Sequence, residues 1–333
     1  MIGLVLLFGA FAGFVILGVP IAFSLGLAAL LTILYLGLDP TLLTEHMFDG
    51  LNSYTLMAAP FFLMVGQLLN TTLIADRLMA LAEALVGHIR GGLALVDTLL
   101  SMLFAGMSGT ATADVAASGS IMMPALVKRG YDVNFAIALT ATTATIGVII
   151  PPSVTMIVYG SSGDVSIGAL FMAGIVPGIV LTIALMLYCY YHAVRHKMPA
   201  GVRAPLPVVA RAFKGAFIPL WIPVILVGGV VSGQFTATES GVVGVVIGLV
   251  LGLVLYRTLK VRDLPGILKE AALTYSLPLF AVATAMVFGW LIAYLEAPVY
   301  IAKVLGPVAT NPKLMMLFLI VVFVILGTFL DAI

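Results

Sequence analysis

The sequence has few charged residues and few side chains suited to redox or metal chemistry. Only 9% of the 333 residues are charged, against roughly 25% in soluble globular domains. A chain so poor in charge cannot cover a globule with polar side chains, so a soluble enzyme is excluded. The single cysteine, Cys189, excludes a disulfide framework and a cysteine-based metal site. Four scattered histidines argue against a histidine metal cluster, and a net charge of +1 gives no reason to expect nucleic acid.

Motifs of well-known catalytic machinery are also missing. The sequence contains no HExxH, no GxxxxGK[ST] phosphate-binding loop and no GxSxG. We therefore predict no catalytic residue, no enzyme activity and no organic cofactor, and an ion gradient rather than ATP as the energy source. An intramembrane enzyme built on Asp97 or Asp114 stays open as an alternative, although catalytic aspartates usually need a second carboxylate close by.

Long apolar stretches are what the sequence has in abundance. Hydrophobic residues make up 62% of the chain, alongside 34 glycines and 17 prolines, which suits closely packed and sometimes broken membrane helices. A membrane-spanning helix needs about 20 mostly apolar residues. We predict an all-α polytopic membrane protein. The candidate spans are 2–19, 21–38, 54–70, 134–159, 167–191, 217–234, 240–256, 275–295 and 314–330.

The stretch 92–126 is too long for one span, and its centre is small and polar. We expect a helical hairpin that enters the membrane and returns on the same side, where protein or water surrounds its non-helical turn. The loops agree with this topology: 192–214 carries Arg and Lys but no acid, whereas 39–53 carries acids but no Lys or Arg. Because cytoplasmic loops are enriched in basic residues, the N-terminus should lie outside the cytoplasm.

Short amphipathic pieces join the spans at 72–86, 206–217, 264–273 and 298–308. They mix charged and apolar residues at helical spacing, as helices lying among lipid headgroups do. We therefore expect membrane lipid as a partner. In a transporter, such helices could also brace a scaffold against a moving domain.

The order of elements indicates two repeats. Each half runs through two apolar spans, a polar or amphipathic piece, a third span, another amphipathic piece and a further apolar run. Three crossings precede each hairpin, so the second repeat should be inverted, as in many transporters whose binding site lies at the repeat interface. The chain ends where the second hairpin should turn, so we expect a C-terminally incomplete form of a longer protein.

The predicted domains follow these repeats. Residues 1–91 form the first scaffold, and residues 92–191 form a transport domain of hairpin 92–126, broken helix 134–159 and span 167–191. A cytoplasmic linker covers 192–216. The second scaffold covers 217–312, and 313–333 begin the second hairpin.

Two segments rich in small and hydroxylated residues are candidates for ion binding. Residues 105–114 lie at the expected hairpin turn, and residues 140–153 combine four threonines with a proline pair that breaks a helix. Hydroxyls and freed carbonyls are the oxygen ligands that Na⁺ takes at broken membrane helices. The alternatives are a tight helix contact for the first segment and a kink satisfied by Ser and Thr side chains for the second.

Three acidic residues lie in or near apolar stretches. Asp114 lies one turn beyond the hairpin turn, where it is either a functional residue or a helix cap. Asp97 lies nearer the cytoplasmic end, and we predict a structural role. Glu239 should lie in the first turn of a helix that Thr236 or Thr238 caps.

Six short motifs, taken in order, resemble a known family. The chain is similar throughout to the large membrane (M) subunit, DctM-like, of tripartite ATP-independent periplasmic (TRAP) transporters. The resemblance implies an elevator-type, Na⁺-coupled importer of the ion-transporter superfamily, with two inverted repeats, re-entrant hairpins and broken helices. It also implies the bacterial cytoplasmic (inner) membrane, with a periplasmic N-terminus. The motifs are 59–62, 106–117, 130–131, 149–153 with 159–160, 174–178 and 235–240.

The resemblance also implies partners and substrates. The partners would be a small four-helix TRAP membrane subunit and a periplasmic substrate-binding protein. The substrates would be organic acids: C4-dicarboxylates, sialic acid, other sugar acids or keto acids. The alternative is a stand-alone Na⁺- or H⁺-coupled anion transporter of similar fold.

The family's ion site carries over onto the hairpin tip and the helix break, with Na⁺ as the only metal. Pro151 and Pro152 shape the break. The residues implied to bind Na⁺ are Ser108, Gly109, Thr110, Thr143, Gly147 and Ile150. The residues predicted to bind substrate are Thr112, Asp114, Pro152 and Ser153.

Overall fold

The structure, a computed structural model, describes residues 2–72, 74–198, 200–309 and 311–329, and within them it is helical with no β-strand. π-helical turns at Val115–Gly119 and Val250–Leu255 extend two of the helices. The helices are α1 (Ile2–Ile16), α2 (Ile21–Tyr35), α3 (Thr41–Leu51), α4 (Ala58–Asn70), α5 (Ile74–Val86), α6 (Gly92–Ser108), α7 (Ala111–Asp114), α8 (Ser120–Lys128), α9 (Val133–Ala144), α10 (Ile146–Ile149), α11 (Val154–Ser162), α12 (Ile167–Arg195), α13 (Leu206–Val231), α14 (Ala237–Leu249), α15 (Leu264–Tyr294), α16 (Ala297–Ala309) and α17 (Pro312–Phe329).

Within the described ranges, four helical stretches are long and apolar enough to cross a membrane: Ile167–Arg195, Leu206–Val231, Ala237–Leu255 and Val261–Tyr294. The bent pair α9–α11 adds a further candidate span, with an angle of 43° at its break. The helices at the first two expected spans are shorter than predicted, since α1 and α2 have 15 residues each. At 1.5 Å per residue, such a helix falls short of a hydrocarbon core of roughly 30 Å.

Two predicted boundaries are wrong because the helices continue through them. The amphipathic pieces 206–217 and 264–273 are not separate helices but the first turns of α13 and α15. Prolines lie inside both helices, at Pro219, Pro223 and Pro278. Proline is tolerated in membrane helices because neighbouring helices and local backbone adjustments satisfy the freed backbone groups. The charged residues and prolines of these segments therefore do not mark the ends of helices.

The first of two compact units comprises residues 1–53 and 274–333. Its core joins α1 and α2 to α15 through Leu7, Ile33 and Leu291, which are all inaccessible to solvent. The helix α3 falls within 39–53, which was expected to be a loop. It begins where Asp39 Oδ1 accepts a hydrogen bond from the Thr41 N–H at 2.9 Å, and this bond lowers the pKa of Asp39.

The second unit comprises residues 54–273 and contains both candidate ion-binding segments. Helices α4 and α14 pack closely within it because glycines face α4: a Cβ at Gly244 would lie 2.7 Å from the Val65 side chain, and one at Gly248 would lie 3.2 Å from Leu68. Small residues allow such close approach of membrane helices. The assignment of scaffold and transport domains stays a prediction.

Candidate functional site

The stretch 92–126 folds as the helix–turn–helix that its sequence predicts. The first arm is α6, and the second arm runs from α7 through a π-helical turn into α8. Gly109 ends α6 with a φ of 67°, in the left-handed region. A residue with a Cβ is strained in that conformation, which explains the glycine at the turn.

The hairpin tip contacts the helix break directly. The Val154 N–H donates a hydrogen bond to the Gly109 carbonyl at 3.1 Å. A Cβ at Gly109 would lie 2.9 Å from the Pro152 carbonyl oxygen, and one at Gly147 would lie 3.2 Å from the Thr110 carbonyl oxygen. The tip and the break therefore approach each other through backbone, and two glycines make that approach sterically possible.

Two helices begin at this junction. At the break, Ile150 and Ser153 are extended on either side of a cis Pro151–Pro152 peptide bond. The Ser153 hydroxyl then caps α11 by accepting a hydrogen bond from the Met156 N–H at 3.4 Å. Thr110 caps α7 in the same way, accepting from the Ala113 N–H at 3.2 Å. Helix N-termini favour negative charge, so the junction combines oxygen ligands with sites that suit an anion.

The threonines before the break form hydrogen bonds with nearby backbone carbonyls. The hydroxyls of Thr142, Thr143 and Thr145 donate to helix carbonyls at 2.6, 3.2 and 2.7 Å. The Thr140 hydroxyl is buried without a hydrogen-bond partner in the described part of the chain. A donating hydroxyl keeps lone pairs that can accept or coordinate. The kink interpretation and the ion-site interpretation are therefore compatible.

The structure brings some of the predicted site residues together and separates others. Gly109, Thr110, Gly147 and Pro152 meet at the junction, as do Pro151 and Ser153 beside them. Thr143 is buried four residues before Gly147, on the same face of the bent helix. Thr112 is exposed, with its hydroxyl 3.5 Å from that of Thr110, whereas Asp114 is fully buried between the arms. Ser108 is the last residue of α6.

Two glycines of α12 that the sequence analysis did not assign to the site also shape the break. A Cβ at Gly174 would overlap the Ile149 carbonyl oxygen, and one at Gly178 would overlap the Ile150 side chain. Ile150 therefore lies against α12 as well as ending α10. The GxxxG spacing at 174–178 was the sequence signal for this contact.

The motif at 235–240 has the structural role that the sequence predicts. Thr236 and Glu239 form a capping box: the Thr236 hydroxyl accepts from the Glu239 N–H at 3.2 Å, and Glu239 Oε2 accepts from the Thr236 N–H at 2.7 Å. Thr238 does not cap the helix. Its hydroxyl donates to the Tyr54 carbonyl at 2.8 Å, which ties the start of α14 to the segment before α4.

Within the described residues, a helical hairpin thus packs on a broken helix in a chain with several span-length apolar helices, and these features are those of a multi-pass membrane protein. The family model for the tripartite ATP-independent periplasmic transporter, DctM component, matches residues 8–333. The chain belongs to this family and is a TRAP transporter large permease subunit.

Curated relatives agree with this assignment. The chain is 35% identical over 324 residues to the 2,3-diketo-L-gulonate TRAP transporter large permease protein YiaN of Escherichia coli K12, covering 97% of this chain and 76% of that protein. It is 36% identical to the sialic acid TRAP transporter large permease protein SiaM of Vibrio cholerae, with 96% and 75% covered. It is 37% identical to the C4-dicarboxylate TRAP transporter large permease protein DctM of Pseudomonas aeruginosa, with 92% and 72% covered.

Proposed function

We propose that this subunit imports organic acids by Na⁺-coupled, elevator-type transport, together with a periplasmic binding protein and a small membrane subunit. The observation that carries the proposal is the backbone contact between hairpin tip and helix break, the Val154 N–H to Gly109 carbonyl hydrogen bond of 3.1 Å. A ligand that binds both segments would hold them together, and release of that ligand would loosen them. Ion binding and movement of the hairpin would thereby be linked.

The proposed Na⁺ site lies where the tip and the break meet. Its ligands would be oxygens of the six residues carried over from the family, which include Thr110, Thr143 and Ile150. Two features of the geometry support this: Gly147 lies against the Thr110 carbonyl, and Thr143 lies one turn before Gly147 with its hydroxyl buried. Oxygen ligands without nitrogen or sulfur suit a hard cation.

The proposed substrate is an organic acid that binds beside this ion. The sequence has no Lys or Arg between residues 92 and 127, so a carboxylate there would rely on N–H groups and hydroxyls. The capped starts of α7 and α11 provide such groups. Of the predicted substrate residues, Thr112, Pro152 and Ser153 lie near these helix starts, whereas Asp114 ends α7 and is fully buried. The relatives' names indicate the chemical range: sugar acids, keto acids and C4-dicarboxylates.

Partners and orientation follow from family membership. A TRAP large permease is expected to act with a small permease subunit and a periplasmic binding protein. The basic residues of 192–214 would then face the cytoplasm and the N-terminus the periplasm of the bacterial inner membrane. No feature of the described residues favours the stand-alone transporter over this arrangement.

Uptake in proteoliposomes tests the proposal. The protein would be reconstituted with its small subunit and cognate binding protein, and uptake of labelled sialic acid, 2,3-diketo-L-gulonate and succinate would be followed. Each acid would be tested with an inward Na⁺ gradient, with an equal choline gradient, and without binding protein. We expect uptake of one acid class that needs both Na⁺ and the binding protein. Uptake with Na⁺ alone would support a stand-alone transporter, and equal uptake in choline would exclude Na⁺ coupling.

A further inference from the structure

The arms of the hairpin enclose a buried acidic cluster away from the tip. Asp97 and Ser101 lie one helical turn apart on α6, and Asp114 ends α7 on the opposite arm. All three side chains have a relative exposure of 0%. The helices α6 and α7 contact each other, so all three buried side chains belong to two arms that pack together. We call these three residues the arm cluster.

The oxygens of the arm cluster have no hydrogen-bond partners. This holds, across the described ranges, for both carboxyl oxygens of Asp97, both of Asp114 and the hydroxyl of Ser101. Native proteins satisfy nearly all buried polar groups. An isolated buried carboxylate costs several kcal/mol unless it is paired. Five such oxygens between two helices are therefore stable only if the carboxyl groups are protonated or a positively charged ligand binds among them.

Among the described residues, the side chains of the two arms do not provide such a ligand. The Thr98 hydroxyl donates to the Ala94 carbonyl at 3.0 Å and lies 3.8 Å from Cys189 Sγ on α12. The Ser118 hydroxyl donates to the backbone carbonyl of Asp114 at 2.9 Å, not to its carboxyl. Since residues 92–127 contain no Lys, Arg or His, neither arm has a cationic side chain of its own to offer.

We propose that the arm cluster binds one small monovalent cation, for which Na⁺ is the appropriate probe. All five potential side-chain ligands are oxygens, which suits a hard cation. Ca²⁺ takes six to eight oxygen ligands and Mg²⁺ keeps several waters, whereas this cluster offers fewer side-chain oxygens and is closed to solvent. A monovalent cation would offset part of the buried negative charge and bridge the two arms.

The proposed arm site is separate from the tip site but adjacent to it. The Asp114 N–H donates to the Thr110 carbonyl at 3.3 Å, so one helical turn joins the two. A cation between the arms would hold α7 against α6 and thereby fix the start of the second arm. This inference does not rest on the proposed transport function, because binding can be measured without transport.

Direct Na⁺ binding tests the proposal. Equilibrium binding of ²²Na⁺ would be measured on the purified protein in detergent at pH 8, with choline chloride holding the ionic strength constant. We expect the Asp97→Asn/Asp114→Asn variant, and each single variant, to bind one Na⁺ fewer per chain than the parent. The matched control, Asp49→Asn/Asp164→Asn, removes the same charge from exposed positions and should bind as many ions as the parent. Unchanged Na⁺ binding in the Asp97→Asn/Asp114→Asn variant overturns the proposal.

A stability measurement keeps the test decisive if the binding signal is small. In choline without Na⁺, replacing the two unpaired carboxylates by amides should raise the apparent melting temperature above that of the parent. A lower melting temperature would overturn the proposal, because the carboxylates would then be satisfied without a cation.

The variant Thr143→Ala distinguishes the arm site from the tip site. It should lose the Na⁺ bound at the tip and keep the one bound between the arms. The variant that combines Thr143→Ala with both Asp→Asn substitutions should therefore lose two ions. Failure of Na⁺-driven uptake with intact arm binding would refute only the transport proposal.

Discussion

At the hairpin tip, backbone groups meet at hydrogen-bonding distance, whereas the arms of the same hairpin bury two carboxyl groups and a hydroxyl that have no hydrogen-bond partner among the described residues. The tip is built from Gly109 and Thr110, which contribute backbone and one capping hydroxyl. The arms contribute charge. The difference suggests that steric fit limits substitutions at the tip, whereas unpaired charge governs those in the arms. Substitutions that add side-chain volume should therefore have their largest effect at the tip. Substitutions that remove charge should have their largest effect in the arms.

The largest expected effect is that of Gly109→Ala at the tip. The added Cβ would lie 2.9 Å from the Pro152 carbonyl in a residue with a φ of 67°, so both backbone strain and a clash oppose it. A penalty of about 1.4 kcal/mol would weaken Na⁺ binding about tenfold, and we expect at least that loss in Na⁺-dependent uptake and in ²²Na⁺ binding.

Gly37→Ala is the matched control for the tip. Gly37 has nearly the same φ, 68°, but no atom of the described residues lies within 4 Å of its added Cβ. It should carry the backbone strain, roughly 1–2 kcal/mol, without altering Na⁺ affinity. If both variants lose Na⁺ affinity equally, strain rather than the contact between tip and break explains the loss.

The second prediction concerns the packing of the break on α12. Gly178→Ala places a Cβ on the Ile150 side chain, and overpacking of this kind costs about 1–3 kcal/mol. We expect a lower melting temperature and slower uptake. Ile150→Ala removes the obstructing atoms but keeps the backbone carbonyl, so it should restore much of both in the double variant. Additive losses in the double-mutant cycle would mean that these two side chains do not interact.

Features set by residues that are close in sequence could be predicted, whereas contacts between distant segments could not. The hairpin and the helix break come from local signals, a small polar turn around Gly109 and the pair Pro151–Pro152. The structure confirms the helix–turn–helix and the break, and re-entry into the membrane stays a prediction. The contact of Gly174 and Gly178 with the break, and the convergence of the arm cluster, join distant segments and could not be read from periodicity. The helix α3 was missed because its acidic, weakly apolar sequence is typical of a loop.

The third prediction compares two helix caps of different expected function. Ser153→Ala and Thr236→Ala each remove a capping hydroxyl, at the starts of α11 and α14, and each should cost about 1 kcal/mol of stability. Only Ser153 lies at the proposed substrate site. We expect similar falls in melting temperature but a higher KM for substrate in Ser153→Ala alone. An equal change in KM for both variants would mean that Ser153 acts only as a helix cap and does not bind substrate.

The smallest expected effect compares two fully buried serines. The Ser24 hydroxyl donates to the Val19 carbonyl at 3.1 Å, whereas the Ser101 hydroxyl has no hydrogen-bond partner in the part of the chain that the structure describes. Ser24→Ala should therefore lose about 0.5–1.5 kcal/mol of stability. Ser101→Ala in choline should be neutral or slightly stabilising, because removing an unsatisfied hydroxyl relieves a desolvation cost. In Na⁺, the same variant should lose part of the parent's thermal stabilisation, since one proposed ligand is gone. Melting temperatures in the two salts measure both effects, and a fall of equal size in Na⁺ and in choline would assign Ser101 a packing role only.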